Sequence, residues 1–177
     1  MRRLLTAAAA GAAALGLLGP VTAAHSAPAK APAQARAQAQ APAAVGQYIW
    51  NLHANGEFCL TPKGNGKANG TIVTLWTCTD TAPQRWHRDS RDRLVNDASG
   101  KCLTPQGNAY NTNGAVLTLW TCGTNDSQEW SSKTRTLLHA HSFKAITPKG
   151  GSVANGVYAT LWTNNAYSYQ TWGLTGR

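Results

Sequence analysis

The sequence predicts an all-β domain built from three copies of one structural unit, and two observations carry this prediction. First, one pattern occurs three times, at residues 70–78, 114–122 and 156–164, and a Gln-x-Trp triplet follows each copy. Second, short segments in which apolar and polar residues alternate are separated by Gly, Asn and Pro, which is typical of strands and turns. A repeat of this length indicates one supersecondary unit used three times, here called repeats one to three.

The spacing of a second motif supports the same period. A short partner precedes each copy: Cys59-Leu-Thr-Pro62, Cys102-Leu-Thr-Pro105 and Ala145-Ile-Thr-Pro148. These partners lie 43 residues apart in both steps, and the Leu-Trp pairs lie 44 and 42 residues apart. Three motifs in the same order at the same spacing therefore support one unit used three times.

The chain divides into three parts by composition. Residues 1–26 have a charged start, an apolar run and then small residues, which predicts a secretory signal peptide; the run is too short for a membrane span. Residues 27–46 alternate Ala with Pro and Gln, which predicts a disordered linker. Residues 47–177 have the length of one domain. We therefore expect a secreted protein.

Each repeat is expected to contain four strands, twelve in all. The repeats open at residues 48–50, 94–95 and 137–138, continue through the Cys-Leu-Thr or Ala-Ile-Thr segment and the Leu-Trp segment, and close at Gln-x-Trp. An Asn-Gly pair, a strong turn signal, precedes each Leu-Trp strand. In residues 72–78, alternation places Val73 and Leu75 on a core face, and Thr74 and Trp76 on the opposite face.

The four cysteines occupy matching places in two repeats. Cys59 and Cys78 correspond to Cys102 and Cys122, and repeat three has Ala145 and Asn164 at the same two places. Because both partners are lost together, we expect disulfides within repeats, Cys59–Cys78 and Cys102–Cys122. Such bonds suit an exported chain.

The chain has a formal net charge of +9, and its charge pattern limits the partners. One basic cluster, at residues 85–93, is interleaved with Asp89 and Asp92, which favours a solvated hairpin. The basic residues do not alternate with exposed aromatics, so we expect no nucleic-acid partner. A basic exported protein favours anionic polymers such as cell-wall polysaccharide.

The repeated motifs resemble those of the ricin-type β-trefoil lectins. The resemblance rests on the Cys-Leu pair, the Asn-Gly turn, the Leu-Trp strand and the Gln-x-Trp close, and it covers residues 47–177. It implies a β-trefoil, that is, a six-stranded barrel capped by three hairpins, with one potential sugar site per repeat.

The resemblance also implies the sugar-site residues. In such lectins the aromatic of the Leu-Trp strand is a stacking platform, and polar residues around it bind hydroxyls. The corresponding residues here are Thr61, Thr74, Trp76 and Gln84 in repeat one; Thr104, Thr118, Trp120, Ser127 and Gln128 in repeat two; and Thr147, Thr160, Trp162 and Gln170 in repeat three. Repeat two is expected to bind best, because it keeps its disulfide and has Asn125 and Asp126 nearby.

The polar positions depart from the family pattern. Thr stands where the family has an Asp and a Gln, and Pro83, Ser127 and Tyr169 stand where it has an Asn. A carboxylate accepts charge-assisted hydrogen bonds that are roughly twice as strong as neutral ones, so a changed ligand is indicated. We interpret the second Trp set, Trp86, Trp130 and Trp172, as core residues, with the Gln of each triplet bracing a loop.

Other chemistries find little support in the sequence. Glycoside hydrolysis needs two carboxylates across a cleft, and the few acidic residues lie mostly in turns, so we expect no enzyme. His139 and His141 form a possible metal pair without a third ligand, and a surface strand explains them better; no metal or other cofactor is expected.

Two functions remain open. The first is a monomeric, secreted lectin-like protein that binds polysaccharide or glycan weakly and multivalently through exposed Trp platforms. The alternative is a β-trefoil that has lost sugar binding and acts on a protein, as an inhibitor of a hydrolase.

Overall fold

The structure is a computed structural model, and it describes residues 46–175. The predicted signal peptide and almost all of the predicted linker therefore lie outside the described residues. No helix within residues 46–175 is long and apolar enough to cross a membrane.

Twelve strands form the described part of the chain, as the repeat pattern predicts. They are β1 Gln47–Asn51, β2 Phe58–Pro62, β3 Val73–Thr77, β4 Arg85–Arg88, β5 Leu94–Asn96, β6 Lys101–Pro105, β7 Leu117–Trp120, β8 Trp130–Lys133, β9 Thr136–His139, β10 Ala145–Pro148, β11 Ala159–Trp162 and β12 Trp172–Thr175. The expectation of a closing strand over the whole triplet is corrected: each Gln ends a short 3-10 turn, and only the Trp side of the triplet is extended. These turns are Ala82–Gln84, Asp126–Gln128 and Ser168–Gln170.

Six of the strands form a closed ring. β12 pairs with β1, β1 with β4, β4 with β5, and β8 with β9, all antiparallel. A bridge between Arg93 and Glu129 links β5 to β8, and the hydrogen bond from Trp172 N to Arg135 O links β12 to the β8–β9 turn. This ring is the six-stranded barrel that the resemblance implies.

Three hairpins, β2–β3, β6–β7 and β10–β11, cap the barrel. Their registers are equivalent: Thr61 pairs with Thr74, Thr104 with Thr118, and Thr147 with Thr160. Isolated bridges such as Thr74 to Tyr158 join one hairpin to the next. The β-trefoil architecture is thereby confirmed.

The core is built from the predicted apolar face. Val73, Leu75 and their counterparts in β7 and β11 have no exposed surface. The Gln-x-Trp tryptophans are buried too, and each indole N–H donates to a strand carbonyl: Trp86 to Leu60 at 3.0 Å, Trp130 to Leu103 at 3.1 Å and Trp172 to Ile146 at 2.9 Å. A buried indole needs such a partner, and the interpretation of these residues as core is confirmed.

Both expected disulfides are present. Cys59 is bonded to Cys78 and Cys102 to Cys122, with Cα atoms 5.1 Å apart in each pair. They close loops of 19 and 20 residues, and each contributes roughly 3 kcal/mol in the chain-entropy model. Each bond fastens the end of a Leu-Trp strand to its partner strand.

Candidate functional site

Three equivalent pockets lie beside the cap hairpins, each with one exposed tryptophan in its wall. Trp76, Trp120 and Trp162 expose 47%, 49% and 45% of their surface, in contrast to the buried second Trp set. The pockets have volumes of 320 Å³ in repeat one, 200 Å³ in repeat two and 430 Å³ in repeat three. An indole face that is half in solvent inside a concavity suits a flat apolar ligand surface.

The Asn-Gly turn of the preceding repeat lies close to the edge of each exposed tryptophan. A Cβ placed on Gly114 would lie 3.7 Å from Cζ3 of Trp162, and one on Gly70 would lie 4.0 Å from Cζ3 of Trp120. Gly156 has the same relation to Trp76, at 4.0 Å. Gly70, with φ at +82°, has a backbone conformation that other residues rarely adopt.

The Asn of the same turn holds the strand that carries the tryptophan. Asn69 Oδ1 accepts a hydrogen bond from Thr121 N at 2.9 Å, and Asn113 Oδ1 accepts one from Thr163 N at 3.0 Å. Asn155 Oδ1 accepts from Thr77 N at 2.7 Å. We call these three contacts the Asn clamps. The Asn-Gly pair therefore fixes both the strand end and the indole of the next repeat.

The glutamine of each triplet is used within the protein. Gln84 Nε2 donates to Thr61 Oγ1 and to Thr77 O, both at 2.9 Å, and its Oε1 accepts from Thr79 N at 2.6 Å. Gln128 and Gln170 make the same contacts in their repeats. Each glutamine is 1% exposed, as a loop brace should be.

The paired threonines are likewise bonded internally. The Thr61 hydroxyl donates to Cys59 O at 3.0 Å, and the Thr74 hydroxyl donates to Thr61 O at 3.1 Å. The same bonds recur at Thr104, Thr118, Thr147 and Thr160. All six threonines expose 5% of their surface or less. Their hydroxyl protons are thus committed, and they line the pocket floors beneath the tryptophans.

Ser127 of repeat two is also buried, at 1% exposure. Its hydroxyl oxygen lies 2.9 Å from Asn108 Oδ1 and 2.6 Å from Asn125 Oδ1. Both asparagines line the pocket of repeat two. Ser127 therefore ties two pocket residues together, and this pocket is the smallest of the three.

Sequence reasoning missed the residues on the open side of the pockets. They are Asn65, Thr79 and Thr81 in repeat one, Gln106 and Asn108 in repeat two, and Lys149 and Tyr169 in repeat three. A signal for several of them was present, because Pro62, Pro105 and Pro148 each begin a Pro-x-Gly turn at the same place in the period. No Asp or Glu lines any of these three pockets of residues 46–175.

The basic cluster at residues 85–93 is a paired hairpin turn. Arg93 lies 2.6 Å from Asp89 and Arg88 lies 3.3 Å from Asp92. Arg91 reaches across to Glu129 at 3.3 Å. The cluster is therefore compensated by acidic groups, as the interleaved sequence indicates.

The interpretation of both histidines as surface residues was wrong for His139, which is fully buried. Its ring stacks on Tyr110 at 4.6 Å and meets Trp130 edge-on at 5.5 Å. Burial lowers the pKa of His139 to about 4. It takes the place that Asn96 has in repeat two, since each pairs with the Trp of a Gln-x-Trp triplet.

The structure also corrects the expectation that no carboxylate lies near this pair. His141 Nε2 is 3.2 Å from Glu129 and 4.0 Å from Asp126, and one ligand atom from each lies within 4.8 Å of the others. Hydrogen bonds from His141 and Arg91 lower the pKa of Glu129. The group is an exposed ion-pair cluster in which His139 takes no part.

Comparison with known families decides the relationship. The family model for the ricin-type beta-trefoil lectin domain matches residues 47–172. The chain belongs to the ricin-type β-trefoil lectin family. This membership suggests carbohydrate binding, and a search of curated proteins found no match for the chain.

Solved structures of other ricin-type and trefoil chains share the fold. This lectin domain is similar to the designed threefold-symmetric protein ThreeFoil, with a TM-score of 0.67 and 21% identity over 74% of this chain and 98% of that one. The C-half of an earthworm R-type lectin in complex with GalNAc has a TM-score of 0.65 and 13% identity, over 75% of this chain and 99% of that one. An exo-β-1,3-galactanase from Clostridium thermocellum has a TM-score of 0.68 and 20% identity, over 77% of this chain and 31% of that one. The lectin fold therefore also occurs as part of a larger enzyme.

Proposed function

We propose that this protein is a secreted lectin that binds polysaccharide weakly and multivalently, with Trp76, Trp120 and Trp162 as its platforms. The observation that carries the proposal is the repeated geometry of these residues. Each indole is half exposed in a pocket and lies close to a glycine, and an Asn clamp holds the residue that follows it. A large exposed apolar side chain that the fold fixes three times has a binding role.

The platforms, rather than the polar set, account for most of the affinity. The six threonines and three glutamines hold the pocket floor together with bonds that a ligand would have to break. The open-side amides of Asn65 and Gln106 contact sugar hydroxyls. Each site is then shallow and weak, and attachment of three sites to one polymer raises the overall affinity through effective concentration. Two disulfides fit an extracellular location.

The test is polysaccharide binding by the wild type and by platform variants. Trp76→Ala, Trp120→Ala and Trp162→Ala should each weaken pull-down on insoluble polysaccharides, and the triple variant should abolish it. Phe143→Ala is the matched control, because Phe143 is 68% exposed and lies outside the three pockets. Wild-type binding by a folded triple variant would exclude the platforms.

One observation favours a second function, inhibition of a hydrolase by protein contact. The committed threonine hydroxyls leave fewer groups for sugar, and exposed aromatics are also enriched at protein interfaces. Inhibition of a secreted protease or glycosidase that free sugars do not relieve, together with silence on a glycan array, would favour this function over the lectin.

A further inference from the structure

The acidic residues of the chain are confined to one part of it. All seven, from Glu57 to Glu129, precede residue 130, and residues 130–175 contain none. The same segment carries Lys133, Arg135, Lys144 and Lys149. Every ion pair within residues 46–175 uses an Arg or a His, and none of these four cations takes part in one. Residues 130–175 therefore carry cations that no acidic group of the same segment compensates.

Two of these cations lie beside the platform of repeat three. Lys149 lines the same pocket as Trp162. Lys144 Nζ donates at 2.7 Å to Asn113 Oδ1, the oxygen that also accepts the Thr163 amide in the Asn clamp. Lys149 thus lines the pocket, with its Nζ 5.8 Å from the centroid of the Tyr158 ring. The ammonium group of Lys144 is bonded to the clamp of Thr163, the residue that follows Trp162.

The other two repeats do not combine these features. At the place of Lys144, repeat one has Phe58 and repeat two has Lys101; at the place of Lys149, they have Lys63 and Gln106. Repeat two also carries Asp126 and Glu129 close by. Both cations occur together only in the third of the three described repeats.

The pocket of repeat three also has a second aromatic wall. Tyr169 lines it and packs against Gly151, the residue after the Pro-x-Gly turn, where a Cβ would lie 3.1 Å from the tyrosine ring. Tyr169 stacks on the exposed Tyr167 with ring centroids 5.1 Å apart. At 430 Å³ this pocket is the largest of the three, so it has room for a sugar that carries a bulky substituent.

We propose that repeat three is selective for a sugar bearing an anionic group, a carboxylate or a sulfate ester, with Trp162 under the ring and Lys149 at the anion. This inference rests on the proposed function and names the ligand class of one of its sites. A pocket that has lost the usual Asp and gained an ammonium group offers donors rather than acceptors. An anion supplies the missing acceptors and forms charge-assisted bonds with the lysine.

Matched polymers test the proposal on the full chain without an affinity tag. Polygalacturonate and its carboxyl-reduced form have the same backbone and differ in charge, and dextran sulfate and dextran form a second pair. At low ionic strength, calorimetry should show tighter binding to the anionic member of at least one pair, and 0.5 M salt should remove the difference. The responding pair distinguishes a carboxylate from a sulfate.

Two lysine variants assign the effect to repeat three. Lys149→Gln, which installs the residue of repeat two, should lower affinity for the anionic polymer about two- to five-fold, as loss of one exposed charge pair predicts. It should lower affinity for the neutral polymer less than affinity for the anionic polymer. Lys101→Gln is the control and should change either affinity less than two-fold.

The two proposals fail separately. Equal affinity for both members of each pair, or equal effects of Lys149→Gln and Lys101→Gln, would overturn anion selectivity while the lectin function stands. Anionic binding that Trp162→Ala leaves intact would also overturn it, because charge alone would then suffice. Binding to none of the four polymers would count against both.

Discussion

At the scale of single residues, His139 shows how a difference between repeats at one equivalent position changes the response to pH. Two repeats place Asn51 and Asn96 opposite the core tryptophan, and their side-chain amides donate to the carbonyls of Tyr169 and Pro83, both at 2.8 Å. In repeat three His139 takes this place, and its Nδ1 accepts from Ser142 N at 3.3 Å. A buried ring that accepts at Nδ1 suits the neutral form, in line with its low pKa.

This burial predicts acid sensitivity. The pKa of His139 is about 4 in the folded protein and 6.5 for an unperturbed histidine, so between these pH values the unfolded chain binds more protons. Stability is therefore complete above pH 6.5 and falls as the pH drops towards 4, by about 3 kcal/mol in total. Urea unfolding from pH 4 to 7.5 measures it, and His139→Asn should flatten the slope in this window.

The control for this prediction is the neighbouring exposed histidine. His141, whose ring centroid is 6.0 Å from that of His139, and Asp126 are the charged groups that act on it. His141→Asn should keep most of the slope. A slope that is unchanged in His139→Asn would assign the acid sensitivity to other groups.

Residue identity at the pockets could be predicted only in part. The exposed tryptophans followed from strand alternation, because a two-residue period separates them from Val73 and Leu75. The roles of Thr61 and Gln84 could not be predicted, because the sequence does not show whether a polar group near a platform bonds to a ligand or to the protein itself. Only the 2.9 Å bond between these two side chains shows that they brace the pocket floor.

At the scale of elements, the Asn-Gly turns do more than reverse the chain. The sequence indicates the turn. The Leu-Trp strand that the turn holds belongs to another repeat, and a short-range sequence pattern carries no information on that contact. The same limit applies to the 3-10 turns, such as Ala82–Gln84, which are too short to show a period. Strand number and order, in contrast, followed from the repeat and its alternation.

Removing one clamp should therefore weaken a site in a different repeat. Asn69→Ala deletes the acceptor for Thr121 N at 2.9 Å and for Thr121 Oγ1 at 3.1 Å, and it should cost about 1 kcal/mol of stability. It should also loosen Trp120 and reduce the polysaccharide binding of repeat two. Denaturation and pull-down, in a background with Trp76 and Trp162 replaced by Ala, measure both effects.

The matched variant for this element is Asn164→Ala. Asn164 is exposed, and its side chain bonds within its own loop, to Ala166 N at 3.1 Å. It should change neither stability nor repeat-two binding appreciably. Equal losses in both variants would mean that the clamp has no special role.

At the scale of the whole molecule, the clamps form a closed cycle. The turn of repeat one holds the strand of repeat two, repeat two holds repeat three, and repeat three holds repeat one. Backbone bonds follow the same order, from Gly70 N to Leu119 O, Gly114 N to Leu161 O and Gly156 N to Leu75 O. Each tryptophan strand is held by the Asn clamp of another repeat. The geometry of each pocket therefore depends on a neighbouring repeat, although the three pockets are separate.

The cycle predicts that repeat three, which lacks a disulfide, unfolds together with the other two. Leu161 is fully buried, and Leu161→Ala should cost roughly 2–5 kcal/mol. If the repeats stabilise one another, this loss lowers a single cooperative transition that tryptophan fluorescence and circular dichroism report at the same midpoint. Two transitions, with the disulfide-bonded repeats melting later, would mean that the clamps position the platforms without coupling the repeats. A single transition would mean that the disulfides of repeats one and two also stabilise repeat three, which carries the proposed cationic site.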